Sequence, residues 1–275
     1  MNIKAFSASI SLLCSASLLT AEAVAYQYEV QASGLDGSID GAGIRGDIEG
    51  YGLGFSVYFP AVDDTAGPLA EAAFQQRASS VSIDYFEDES LDTDDQTLSV
   101  ISGRIVDAES GWSAGLAVSN LDVDGDETVN YRITMGKYLL ENTELQIGIE
   151  RVELESESLA DDEDDVLNNA DINIRHLSPS VGVAVALHYE FFEFQDGDEV
   201  ESGNIYGGEL TYYPADELGI SVFYEELEGS GNLNSLGIAA EYFVTRAIAV
   251  SVGYTEAEVG AADSDAVTLG LRGRF

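Results

Sequence analysis

Val267-Thr268-Leu269-Gly270-Leu271-Arg272-Gly273-Arg274-Phe275 is the stretch that decides the fold. Val267, Leu269 and Leu271 alternate with Thr268, Gly270, Arg272 and Arg274, and the run stops on an aromatic residue. A strand apolar on one side, small or charged on the other, and closed by an aromatic is the final strand of an outer-membrane β-barrel. Only a closed barrel lets β structure cross a bilayer with every backbone N–H and C=O paired. The fold class read from this end is therefore all-β, a transmembrane antiparallel β-barrel.

The opposite end agrees. Met1 to Lys4 is short and basic, Ala5 to Leu19 is apolar, and Ala23-Val24-Ala25 offers the small residues that precede a signal-peptidase cut. Residues 1–25 are expected to be a removed signal peptide, leaving residues 26–275 as one barrel domain in the cell outer membrane. Cys14, the only cysteine, falls inside that signal, so the mature chain has no thiol to form a disulfide.

Composition narrows the function. A formal net charge of -40, from 51 Asp plus Glu against 11 Lys plus Arg, excludes a nucleic-acid binder, which must neutralise phosphates with the opposite charge. The 45% of hydrophobic residues and the 14 Tyr and 11 Phe contradict a disordered acidic chain. Acid gathers in short runs between alternating segments. Ile248, Val250, Val252 and Tyr254 oppose Ala249, Ser251 and Gly253; Leu53, Phe55, Val57 and Phe59 oppose Gly54, Ser56 and Tyr58; Val181 to Phe191 repeats the pattern. Tiling residues 26–275 in this way predicts about fourteen strands, with twelve or sixteen also possible. The first is expected near 26–34, and a bulge is expected where the apolar register slips between Val100 and Ile101.

Alternate connections differ. Those such as Asp36 to Asp47, Glu87 to Asp95 and Glu155 to Asp165 are acidic, whereas Asp107 to Gly111, Glu141 to Thr143 and Pro214 to Glu217 are tight. With both termini on the periplasmic side, the acidic loops point outward. Phe59, Tyr138, Tyr212, Tyr213, Tyr242 and Phe275 are expected in a periplasmic aromatic girdle, and Tyr85, Tyr189, Phe191, Tyr224 and Tyr254 in an outer one. One connection, Ala61 to Arg77, is long for a periplasmic turn, carries the helix-prone Pro68-Leu69-Ala70-Glu71-Ala72-Ala73-Phe74, and is the candidate plug should the barrel not conduct.

Val57-Tyr58-Phe59-Pro60-Ala61-Val62, Gly67 to Phe74 and Arg77-Ala78-Ser79-Ser80-Val81-Ser82 together resemble the general bacterial porin family of Gram-negative outer membranes. The resemblance covers residues 50–85 and implies a porin-like barrel; it brings no assigned site residues.

About fourteen strands enclose a lumen of intermediate width. Its small inward residues are expected to leave water, so inward charge sets selectivity. The candidate pore-lining residues are Asp84, Glu150, His188, Glu190, Glu209, Glu225 and Glu241 against Arg104, Arg132, Arg272 and Arg274. That acidic excess predicts a porin passing small hydrophilic solutes with a preference for cations. The alternative is a non-conducting structural or adhesive barrel presenting acidic loops. Wall networks in which these charges satisfy one another are the competing role for the inward residues.

Asp161 to Asp165 and Asp122 to Glu127 are rich in carboxylates but lack the spacing of a helical calcium loop, so no metal and no cofactor is expected. Sharing of divalent cations between these loops and anionic lipid headgroups is the weaker reading. Catalysis is not expected either: His188 faces the lumen, and His176 sits beside a turn with no Ser at strand spacing. Expected partners are outer-membrane lipids, small solutes or cations, and the barrel-assembly machinery through Phe275. A monomer and a trimer are both compatible with this size.

Overall fold

The computed structural model describes residues 25–41, 44–65, 67–90, 94–123, 126–155, 165–196, 199–229 and 233–275. Residues 1–24 of the expected signal, with Cys14, lie outside them, as do most of Asp161 to Asp165 and the centre of Asp122 to Glu127. Fourteen strands form one closed antiparallel barrel: β1 (Ala25–Gly41), β2 (Ile44–Asp63), β3 (Ser79–Ser90), β4 (Asp94–Asp107), β5 (Trp112–Val123), β6 (Asp126–Leu140), β7 (Thr143–Glu155), β8 (Asp165–Ser178), β9 (Val183–Asp196), β10 (Glu199–Ala215), β11 (Leu218–Glu228), β12 (Leu233–Thr245), β13 (Ile248–Val259) and β14 (Ala262–Arg274). Each strand pairs with its sequence neighbours, and β1 closes the ring against β14. At this seam Phe275 accepts hydrogen bonds from the main chains of Gln27 and Tyr28 at 3.0 and 2.8 Å, and its ring stacks on Tyr28. No helix among the described residues is long and apolar enough to cross a membrane.

Period-two patterning sets the two faces. Leu53, Ile83, Ile101, Leu116, Ile133, Ile149, Leu187, Leu210, Ile238, Val252 and Leu269 are all exposed large apolar side chains in the middle of their strands. A belt of this kind is favourable only against lipid, which fixes the opposite face as the interior. Among the described residues no apolar core of the soluble kind fills the barrel at mid-height. The buried clusters sit instead at the end of the short turns.

Three expectations are corrected. The ladders run without a shift through Val100 and Ile101, which oppose Asp84 and Ile83 on one side and Ser119 and Val118 on the other. Val100 simply turns inward, where a single apolar side chain on a wet wall costs less than breaking two ladders. The bulges lie elsewhere, at Tyr26/Tyr28, Tyr138/Leu140, Tyr212/Ala215 and Phe243/Thr245, all at the turn end. Second, much of the expected loop Asp36 to Asp47 is strand: β1 and β2 stay paired up to Gly41 and Ile44, with Asp36 opposite Glu49. Beyond the membrane, backbone pairing alone maintains the ladder, so no apolar alternation is required. Third, Tyr138 and Tyr213 are buried inward rather than placed in a girdle, and Val181 lies in the turn before β9. By parity Lys137 and Tyr212 take the outward positions.

Candidate functional site: the barrel interior and its floor

All the candidate inward residues fall on the interior face. Arg132, Glu150, Asp171 and Glu190 come from four successive strands, with Arg132 opposite Glu150 in the β6–β7 ladder and Asp171 opposite Glu190 in the β8–β9 ladder. Arg132 divides its guanidinium between Glu150 at 3.4 Å and Asp171 at 2.9 Å. To reach Asp171 it must cross β7, and Gly148 permits this: any Cβ there would overlap the Asp171 carboxylate. Gly207 has an equivalent role in the next hairpin but one. A Cβ at Gly207 would stand 2.7 Å from the His188 ring, and without it His188 of β9 reaches over β10 to Glu225 of β11 at 3.2 Å. Glycine in the middle strand is what lets polar side chains two strands apart meet.

Nearer the turn end, Arg104 donates to both oxygens of Glu144 at 2.7 Å, and Ser113 donates to the same carboxylate at 2.6 Å. Arg272 meets Glu241 at 3.2 Å, and the fully buried Arg274 meets Glu29 at 2.8 Å. Asp84 and Glu209 accept hydrogen bonds from the hydroxyls of Ser82 at 3.2 Å and Thr211 at 2.9 Å. Sequence reasoning missed Glu29, Glu144 and Asp171. Parity was the available signal, since Glu144 and Glu150 lie six residues apart on one face of β7, and Asp171 shares the inward face of β8 with Asn173.

The β2–β3 connection forms the floor. It contains a 3-10 turn at Leu69–Glu71 and a single helical turn, α1, at Ala72–Gln75. Both its ends are attached to one wall, yet it reaches round the circumference. Glu71, which is buried, accepts from Tyr213 of β10 at 2.7 Å and from Arg175 of β8 at 2.6 Å. Leu69 donates its N–H to Asp216 O at 2.9 Å and accepts from Arg274 at 2.9 Å. Arg246 donates to both the main-chain oxygen and the carboxylate of Asp64 at 2.9 Å. Arg77 caps the tight turns by donating to Ala108 O at 3.0 Å and Glu141 O at 3.1 Å. Apolar packing accompanies these bonds: Phe74 with Tyr138, Leu177 and Tyr213; Ala72 with Tyr26 and Val62; Leu69 with Phe243 and Ala249. The expectation of an interior left to water by small side chains therefore fails at this end, where a packed, ion-paired layer spans the barrel. His176, the other histidine, meets Thr143 Oγ1 at 2.8 Å near the turn end.

Solved structures share this architecture. The outer membrane protein Omp33 of Acinetobacter baumannii superposes with a TM-score of 0.60 at 20% identity, covering 92% of this chain and 99% of the other. The anion-selective porin of Comamonas acidovorans gives 0.53 at 9% identity, with 91% and 99% covered. OmpT of Vibrio cholerae gives 0.51 at 7% identity, with 94% and 100% covered. At these identities the likeness concerns the fold. No protein of curated function matches. Residues 3–275 match the family described as "Putative general bacterial porin", and the chain belongs to that family.

Proposed function

We propose that this outer-membrane channel for small solutes prefers cations, and that its selectivity is set by the inward residues Asp84, Glu150, His188, Glu190, Glu209, Glu225 and Glu241 with Arg104, Arg132, Arg272 and Arg274. One observation carries this reading. The inward arginines are each held by at least one carboxylate, and at mid-height one guanidinium, that of Arg132, serves Glu150 and Asp171 while Glu190 stands opposite Asp171. The acidic surplus therefore faces the lumen, where charge in a narrow low-dielectric passage discriminates by sign. The acidic outer mouth adds to it by concentrating cations before entry. A similar barrel belongs to an anion-selective porin, so the reading rests on the wall charges and not on the fold.

The test is the zero-current potential of refolded protein in a planar bilayer across a steep KCl gradient. A cation-selective sign, moved toward zero by Asp84→Asn with Glu190→Gln and Glu209→Gln, is the expected result. An anion-selective sign would overturn it. A second reading, a non-conducting barrel presenting acidic loops, is favoured by one observation: the packed floor.

A further inference from the structure

The floor and the porin fold stand in apparent conflict, and the way the floor is attached resolves it. We propose that residues 67–77 are a displaceable lid, hinged on the β2–β3 wall and latched to the opposite wall through Glu71 on Arg175 and Tyr213. The proposal rests on the channel reading above.

Topology leaves the segment free to move. The ring of strands is closed by ladders that do not involve it; β2 and β3 are already paired from Phe59 opposite Ser79 onward. Lifting the lid breaks no ladder. Its attachment to the far wall is also of an exchangeable kind. Among the main-chain hydrogen bonds of the described residues, Leu69 N–H to Asp216 O is the one that ties the segment to that wall. The remaining ties there are made by side chains, which can exchange partners for water without disturbing the wall.

The latch itself has the chemistry of a two-state contact. Glu71 places both carboxylate oxygens on wall donors, and the Arg175 guanidinium that binds it also lies 4.5 Å over the Phe74 ring. One lid carboxylate and one lid aromatic thus share one wall cation. Charge-assisted bonds of this kind are strong when dry and weaken sharply once water enters, which gives two discrete states rather than a graded one. At the other flank Arg274 is held by Glu29, and Arg246 sits on an exposed turn. Arg274 keeps its carboxylate partner after Leu69 leaves, so opening strands no buried charge at that position.

The test uses thiols that residues 26–275 otherwise lack. Leu69→Cys with Asp216→Cys places two cysteines where the main chains are joined by a hydrogen bond, within reach of a disulfide or a short bis-thiol reagent. Oxidised protein, with the cross-link verified by mass, is expected to be silent in a planar bilayer, and reductant should restore openings in the same membrane. Glu71→Gln is expected to raise open-state occupancy about tenfold, as loss of one charge-assisted bond implies. A barrel in which a short Gly-Ser turn joins Asp63 to Ala78 should conduct continuously. Equal conductance of cross-linked, reduced and lidless protein would overturn the lid. A lidless barrel that is folded by circular dichroism yet silent would overturn the channel reading instead, so the two failures are distinguishable.

Discussion

At the outer end of the barrel, Asp36 opposes Glu49 across the β1–β2 ladder, with Tyr51 and Tyr85 donating to Glu87 and Tyr254 to Glu256 on the rim. At the periplasmic end, Arg104, Arg175, Arg246, Arg272 and Arg274 are each matched to one carboxylate and interleaved with Phe74, Tyr138, Tyr213 and Phe243. The outer end tolerates like charges side by side because water screens them. The inner end cannot, because the carboxylates of Glu29, Asp64, Glu71 and Glu144 are buried there and each needs a partner. Carboxylates are thus a solvated coat at one end and structural members at the other, although the residue types are the same.

Substitutions at the two ends should reveal this difference, and the largest effect is expected at the seam. Arg274→Ala removes a buried guanidinium that pairs with Glu29, bonds Leu69 O and lies between the Tyr26 and Phe243 rings at 4.5 and 4.7 Å. A buried carboxylate left without its partner costs about 3–5 kcal/mol, read as a lower denaturant midpoint of the Trp112 fluorescence in micelles. A shift no larger than that of a surface mutant would break the comparison. Gly148→Ala comes next: its methyl would displace Asp171 from Arg132, with a loss of about 1–3 kcal/mol and a measurable change in ion preference. Tyr213→Phe deletes one of the two donors to Glu71 and should cost about 1–2 kcal/mol on the same denaturant curve. Arg45→Ala, in an ion pair with Asp40 that is mostly in water, should leave the midpoint unchanged. A clear loss there would show that the outer end is stiffened by its charges after all.

The wall was legible in the sequence because a single physical rule writes it. Lipid on one side and water on the other impose a period of two, and Ile133, Ile149 and Leu187 against Arg132, Glu150 and His188 display it directly. Where the rule lapses, reading by periodicity lapses too. The paired extensions of β1 and β2 beyond Leu35 and Gly50 carry no apolar alternation, since water bathes both of their faces. Tyr138 and Tyr213 look like interfacial anchors until the floor segment supplies their packing partners. The floor's latch was the least accessible, because Glu71 meets Arg175 at a separation of 104 residues and Tyr213 at 142, distances at which no local pattern speaks. A helix-prone run in place of a tight turn was the local trace it left.

The seam between β1 and β14 also has a kinetic meaning. The bond from Arg274 to Glu29 spans 245 residues, so one edge of β1 stays unpaired until the last strand arrives. Non-local pairing of this kind is slow, and an open strand edge is a template for the wrong partner. Glu29 and Arg274 stand opposite one another across that edge, so the buried carboxylate is compensated when β14 brings its guanidinium into register.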